Sequence, residues 1–236
     1  MTQPDRPSVT AVIPVHNEAA FLPGALPRLF DELETVDADV VVLVAENGST
    51  DDTADHVRDA MKTYPNLALL ELPKPDYGAA MRDAFLHSTT EWVANFDIDY
   101  FSGEFLSDAL ALSDTADIVL ASKRAEGADD QRSATRRLAT WTFNQILRLV
   151  LSSGVSDTHG MKLVRKTVVD DIAPRVISTT DLFDTELVVR AERADYRITE
   201  LPASVVELRE SKSNLIKRIP RTLRGVWRIR RSLRDK

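Results

Sequence analysis

The chain has 236 residues, 43% hydrophobic and 28% charged, which is enough for one sizeable domain with a real core, alone or with an appendage. It has no cysteine, so disulfides and thiolate metal sites are excluded and nothing points to an oxidising compartment. The net charge of −7 is uneven: Lys212 to Lys236 carries ten Lys/Arg against Asp235, or +9, leaving −16 for the first 211 residues. An acidic body repels nucleic-acid phosphate, so no nucleic-acid partner is expected, whereas the basic end suits an anionic surface.

The N-terminal residues lack the basic start and apolar run of a secretory signal. No apolar stretch approaches the roughly 18 to 20 residues needed to span a bilayer. A cytoplasmic protein is the expectation.

Val9 to Val15 is an almost continuous apolar run, the pattern of a strand buried on both faces. Glu18 to Glu34 has Phe21, Leu22, Leu26, Leu29, Phe30 and Leu33 at helical spacing, with Pro23 and Pro27 disturbing its first half. Ala38 to Ala45 predicts a second buried strand. A helix is expected from near Thr50, with Asp51 and Asp52 in its first turn. Leu67 to Leu72 predicts a third strand, Gly78 to His87 a helix, Trp92 to Phe96 a fourth strand and Ile118 to Ala121 a fifth. Arg136 to Leu151 predicts a long amphipathic helix. Strand and helix alternating in this way imply an α/β, Rossmann-like, mostly parallel sheet with helices on both faces. There is no internal repeat and no low-complexity linker.

Ligands of open parallel sheets sit outside the carboxyl ends of the strands. Three polar clusters fall at such ends: His16-Asn17-Glu18, Glu46-Asn47-Gly48-Ser49 and Asp97-Ile98-Asp99. If the strands are parallel, all three share one edge. Asp97 and Asp99 are one residue apart, so in an extended segment their carboxylates point the same way. Two adjacent carboxylates repel, which Mg²⁺ or Mn²⁺ relieves while bridging to diphosphate oxygens. The competing reading of a bare Asp-x-Asp is a solvated acidic loop.

Taken in order, these motifs resemble the family 2 inverting glycosyltransferases, which share the GT-A fold. Val12-Ile13-Pro14-Val15-His16-Asn17-Glu18 looks like the family's opening strand and nucleotide-contacting turn. Glu46-Asn47-Gly48-Ser49-Thr50-Asp51-Asp52-Thr53 is similar to its Asp-Asp-Gly-Ser-x-Asp-x-Thr motif, with Glu46 and Asn47 where two aspartates are usual. Asp97-Ile98-Asp99 matches the metal-binding Asp-x-Asp, and the likeness extends through Gly78-Ala79-Ala80-Met81-Arg82 to about residue 210. Some members carry Gln two positions after the second metal-site Asp; here that position is Phe101. The resemblance implies a nucleotide diphospho-sugar donor held by Pro14, His16, Glu18, Glu46, Asn47, Ser49, Gly78, Arg82 and Asp97. It implies Mg²⁺ or Mn²⁺ on Asp97 and Asp99, and inversion at the anomeric carbon.

The second half resembles the dolichyl- and polyprenyl-phosphate mannosyl- and glucosyltransferases. Ser156-Asp157-Thr158-His159-Gly160-Met161-Lys162 is similar to their Asp-x-x-x-Gly-Phe-Lys/Arg segment, one residue shorter. Phe183-Asp184-Thr185-Glu186-Leu187 is similar to their Phe-x-x-Glu-Leu helix start, and Pro202 to Leu208 to the strand after it. Arg82, Lys123, Arg124, Arg136, Arg137, His159 and Lys162 are candidates, as a set, to supply an acceptor-phosphate ligand; for any one of them the leading reading is a solvated surface charge or, for His159, a structural residue. A phosphate monoester acceptor is already anionic and needs no base. A hydroxyl acceptor would need one, and Asp157 or Asp184 is the candidate beside Asp99; a helix cap is the other reading of Asp184.

Within the basic end, Leu215, Ile219, Leu223, Val226, Trp227 and Leu233 recur at helical spacing, with Pro220 to Leu233 the firm part. Such a helix can lie on an anionic membrane or pack on the acidic body. The expected organisation is a GT-A domain over residues 1–211, about 1–100 serving the nucleotide sugar and 101–211 the acceptor, then a basic amphipathic segment over 212–236. The expected activity is hexose transfer from a nucleotide diphospho-sugar of the GDP-mannose or UDP-glucose type to polyprenyl or dolichyl phosphate, peripherally on the cytoplasmic membrane face. The alternatives are a saccharide or small-molecule hydroxyl acceptor, or a non-catalytic GT-A-like binding protein. A nucleotidyltransferase would want a Gly-rich phosphate loop after the first strand, which His16-Asn17-Glu18 is not.

Overall fold

The computed structural model describes residues 6–122, 129–130, 142, 145–147, 149–151, 153–155, 158, 160–179, 182–205 and 215–233. Its strands are β1 (Ser8–Val15), β2 (Asp39–Asn47), β3 (Leu67–Leu72), β4 (Trp92–Asn95), β5 (Ile118–Ser122), β6 (Asp129–Asp130), β7 (Lys162–Arg165), β8 (Ile198–Pro202) and β9 (Ser204–Val205). Seven of them form one sheet in the order β3-β2-β1-β4-β7-β5-β8, and β6 pairs with β9. All pairings of the large sheet are parallel except those of β7, which runs antiparallel between β4 and β5.

The helices are α1 (Leu22–Glu34), α2 (Thr53–Ala60), α3 (Tyr77–His87), α4 (Gly103–Ala111), α5 (Lys166–Ile172), α6 (Phe183–Arg193) and α7 (Leu215–Ser232). Side chains alternate across a strand, and that period of two divides the core. Ala11, Ile13, Val15, Val42, Val44 and Ala94 turn to one face, where Leu22, Leu26, Leu29 and Phe30 of α1, Val57 of α2 and Leu106 of α4 cover them. Val12, Leu43, Ala45, Val93, Leu120 and Val164 turn to the other, under Met81 and Phe85 of α3, Val168 and Val169 of α5, and Phe183 and Leu187 of α6. Each Val, Leu, Ile, Met or Phe side chain so removed from water contributes roughly 1.5–3 kcal/mol.

The mostly parallel α/β sheet with helices on both faces matches the expectation. Several boundaries shift for local reasons. Pro23 occupies the first turn of α1, where its missing N–H is harmless, and Pro27 inside the helix lies on the solvent side, so the helix runs from Leu22 onward. Helix α2 starts only at Thr53, because Asp51 and Asp52 belong to the preceding loop. The expected helix over 136–151 is helical at the described positions 142, 145–147 and 149–151. The strand expected over 202–208 resolves into the end of β8 and the short β9; residues 206–208 lie outside the described ones.

Helix α7 packs on the body along part of its apolar stripe. Val226 and Ile229 are buried with Leu147, Leu151, Leu182 and Val189, and Leu233 packs beside them. A Cβ on Gly225 would stand 2.3 Å from Leu182 Cδ1, so glycine lets the helix approach this closely. The expected single stripe therefore divides: Val226 and Leu233 hold the body, while Leu223 and Trp227 face solvent, Trp227 at 63% exposure. The side chains of Leu215 and Ile219 lie outside the described residues. Among the described residues, no helix is long and apolar enough to cross a membrane.

Candidate active site

Parallel pairing in the order β2-β1-β4 sets the ends of these strands on one edge, with Val15 beside Glu46 and Val12 beside Asn95. All three polar clusters start from that edge. The turn after β1 is tied to the loop after β2 by a ladder of polar contacts. His16 Nδ1 lies 2.8 Å from Asn47 O, Asn17 N donates to Ser49 Oγ at 2.9 Å, and Thr50 N donates to Asn17 Oδ1 at 2.8 Å. Asn17 holds φ at 55°, a left-handed conformation that Asn tolerates better than most residues. Glu18 N donates to Thr53 Oγ1 at 2.8 Å, and Ala19 N to Asp51 Oδ2 at 3.2 Å. The Thr53 hydroxyl donates to Asp51 and is the main cause of its carboxyl lying below the ordinary value. Asp51 is thus a clasp on the loop, in place of the helix-dipole role expected for it.

The two departures from the family's aspartate pair have structural work. Glu46 is buried and accepts from Ser49 N, closing the turn. Asn47, also buried, accepts from Asp76 N at 2.6 Å and so fixes the loop between β3 and α3. Gly48 between them has φ of 62°, and a Cβ there would fall 2.6 Å from the backbone carbon of Lys74. The side-chain oxygen of Asn47 is therefore committed to the chain. Gly78 is likewise a packing residue: its Cβ would lie 2.6 Å from Ser178 O, and its N–H donates to Thr179 O at 3.4 Å. Arg82, one turn along α3, lies 3.6 Å from Asp83. Pro14 pairs with Ala45 within the β1–β2 ladder.

Asp97-Ile98-Asp99 is not extended. Asp97 N donates to Tyr100 O at 3.1 Å and Tyr100 N to Asp97 O at 2.9 Å, so Ile98 and Asp99 form a two-residue turn. Strand alternation therefore does not align the two carboxylates; they stand at the first and third positions of a tight turn. Ile98 is buried and anchors the turn, leaving Asp97 exposed and Asp99 half-buried. Among the described residues no group of three or more His, Asp or Glu side chains gathers to hold a metal, and Phe101 packs on the core. Two hard carboxylates on one turn fit Mg²⁺ or Mn²⁺, which are commonly held by one or two carboxylates with substrate phosphates and water completing the shell.

The acceptor-side candidates fare differently. Lys162 is fully buried, and its Nζ donates to Asp184 Oδ1 at 2.7 Å and Gly160 O at 2.9 Å, so it is not presented to an acceptor phosphate. Asp184 is buried too; besides Lys162 it accepts from Tyr77 OH at 2.8 Å and Asn95 Nδ2 at 3.4 Å. Buried and with both oxygens engaged it does not suit a general base, nor does it cap α6, whose N-cap is Leu182. Lys123, Arg124, Arg136, Arg137, Asp157 and His159 lie outside the described residues.

Sequence reasoning quoted Asn17 and Thr53 within its motifs without giving them a role, and missed Asp76, Tyr77 and Asn95. Asp76 left a signal: an Asp three residues before Ala79, whose N–H its carboxylate accepts at 3.1 Å as the N-cap of α3. Tyr77 and Asn95 left none, because their partner lies more than 80 residues away.

The model of Glycosyl transferase family 2 matches residues 10–173. The chain is 29% identical over 199 residues to the uncharacterized glycosyltransferase Rv0539 of Mycobacterium tuberculosis, covering 84% of each. It is 25% identical over 228 residues to the dolichyl-phosphate beta-glucosyltransferase ALG5C of Trichomonas vaginalis, covering 90% of this chain and 68% of the relative. Among solved structures, a mannosyltransferase of Pyrobaculum calidifontis in complex with GDP-Man and Mn²⁺ superposes with a TM-score of 0.65 at 23% identity, covering 99% of this chain and 67% of that one. Glucosyl-3-phosphoglycerate synthase of Mycobacterium tuberculosis, in complex with Mn²⁺, UDP and phosphoglyceric acid, gives 0.70 at 16%, covering 95% and 78%. These likenesses show the GT-A fold, and the match across most of the chain shows that it belongs to glycosyl transferase family 2.

Proposed function

We propose that this chain is a metal-dependent inverting hexosyltransferase that moves a sugar from a nucleotide diphospho-sugar to polyprenyl phosphate. The observation that carries the donor half is the shared strand edge: the interlocked loops after β1 and β2 lie beside the Asp97–Tyr100 turn after β4. On this reading the nucleotide lies along the turn carrying His16 and Glu18 and the loop carrying Glu46 and Ser49, and Asp97 and Asp99 would hold Mg²⁺ or Mn²⁺ against its diphosphate. Bound there, the ion supplies charge neutralisation for the departing nucleoside diphosphate.

The lipid-phosphate acceptor is supported by the dolichyl-phosphate beta-glucosyltransferase relative, which aligns over 90% of this chain. It also suits helix α7, whose outward Leu223 and Trp227 sit among Arg224, Arg228, Arg230 and Arg231. That face is suited to an anionic membrane, with Trp227 at headgroup level, where the acceptor phosphate lies. A second reading, a small phosphorylated acceptor whose hydroxyl attacks the sugar donor, is favoured by the likeness to glucosyl-3-phosphoglycerate synthase.

The test is incubation with labelled GDP-mannose or UDP-glucose, Mn²⁺ and either polyprenyl phosphate or 3-phosphoglycerate. An organic-extractable product that disappears in Asp99→Ala is expected. A water-soluble product only would favour the second reading, and no transfer to either acceptor would overturn the proposal.

A further inference from the structure

We infer that Asp184 is a positioning residue: with Lys162 and Thr185 it pins the acceptor-side loop before β7 to the donor-side half of the sheet. The inference rests on the proposed function only in treating Thr158 and Gly160 as acceptor-facing.

Four elements meet at Asp184. Tyr77 opens α3, Asn95 closes β4, Lys162 opens β7, and Asp184 itself stands in the first turn of α6. Antiparallel pairing sets Lys162 opposite Asn95, two residues before the Asp97–Tyr100 turn begins. One carboxylate oxygen accepts from Tyr77, on the helix that follows the β3 loop. The other accepts from Lys162, whose ammonium also holds the carbonyl of Gly160, a residue at φ of 113°.

The same turn of α6 grips the loop a second time. Thr185 Oγ1 lies 2.9 Å from Thr158 Oγ1, both side chains buried. Thr158 and Gly160 are thus fixed on either side of position 159. The two contacts come from adjacent residues of one helix turn, so they hold Thr158 and Gly160 relative to α6.

Energetics point the same way. A buried ion pair is weak evidence for stability, because desolvating both charges offsets their attraction and an apolar pair of similar volume often does as well. What a buried pair does supply is a single geometry, since any other arrangement strands a charge in the interior. Among the described residues Asn95 Oδ1 is a buried acceptor with no partner, which leaves this junction incompletely satisfied by them. A junction built for stability would be expected to close that bond.

The experiment compares the full-length protein with Asp184→Asn, Thr185→Val and the double variant Lys162→Met/Asp184→Asn, which leaves no buried charge unpaired. Hydrogen exchange of the peptide spanning 153–165 is followed beside that of β1 and β2, and the affinity for GDP and for UDP with Mn²⁺ is measured by calorimetry. Exchange rising by about tenfold in that peptide alone, with nucleotide affinity unchanged, is the expected result. The acceptor KM for polyprenyl phosphate should then rise while donor hydrolysis without acceptor stays level. Exchange unchanged in that peptide, or rising equally throughout the sheet, would overturn the inference. If wild type transfers nothing to polyprenyl phosphate, the acceptor assignment falls while the exchange pattern still decides the role of Asp184.

Discussion

Glu186→Gln is the substitution whose cost the structure defines best. Glu186 is fully buried and accepts four hydrogen bonds: from Ile177 N at 3.1 Å, Ser178 N at 2.9 Å, Ser178 Oγ at 2.6 Å and Arg190 Nε at 2.7 Å. Glutamine keeps the volume but turns one acceptor oxygen into a donor facing donors. It also leaves Arg190, itself nearly buried, without its counter-charge. Breaking one side of a buried pair costs about 3–5 kcal/mol. For a chain of this size each kcal/mol shifts the melting midpoint by about 2–4 °C, so a fall of roughly 6–20 °C is expected in a circular-dichroism melt. The loop at 177–179, which seats Gly78, should loosen first. Adding Arg190→Met removes the stranded cation and should recover part of the loss. A fall below about 3 °C for Glu186→Gln, or no recovery in the double variant, would refute the account.

Gly48→Ala must place a Cβ against the Lys74 backbone at positive φ, and should lower the urea-derived stability by roughly 2–4 kcal/mol; a loss under about 1 kcal/mol would contradict the close approach. The Arg197 hydrogen bond is the first cause holding the Asp117 carboxyl below its ordinary value of 3.8. A lowered folded value contributes stability that is present above the unfolded value and lost as the pH falls through the folded one, so Asp117→Asn should narrow the stability gap between pH 6 and pH 3 in parallel melts. Replacing Leu223 and Trp227 together by Ala should weaken flotation on anionic liposomes while leaving the melting midpoint unchanged; equal flotation would remove the membrane role of α7.

The donor edge was legible because its signals are local. Apolar runs at β1 to β4 define buried strands, and parallel order then brings their polar ends together without further information. What local signals misjudged was conformation within a cluster: two-residue spacing at Asp97 and Asp99 implied extension, whereas Ile98 is drawn into the core and bends the segment into a turn. The acceptor side was poorly legible because its side chains are committed across long separations. A lysine beside Gly160 reads as a surface cation until β7, only four residues long, inserts between β4 and β5 and buries it against Asp184. The stripe of α7 was visible, but periodicity alone does not say which of its members meets the body, and Gly225 against Leu182 decides that.

The engagement of Asp184 bears on the chemistry as well. A hydroxyl acceptor must lose a proton as the new bond forms, so its transfer rate follows the ionisation of some base in the enzyme. Asp184, with Lys162, Tyr77 and Asn95 around its two oxygens, is badly placed to be that base. A phosphate monoester needs no base, and its own second ionisation lies near pH 6. If polyprenyl phosphate is the acceptor, kcat/KM for it should rise between about pH 5 and 7 with the charge on the phosphate and then level off. Asp184→Asn should lower the height of that curve without moving its midpoint, because the titrating group belongs to the substrate. A midpoint that shifts in Asp184→Asn would show that the carboxylate takes part in proton transfer after all, and would return it from positioning to catalysis.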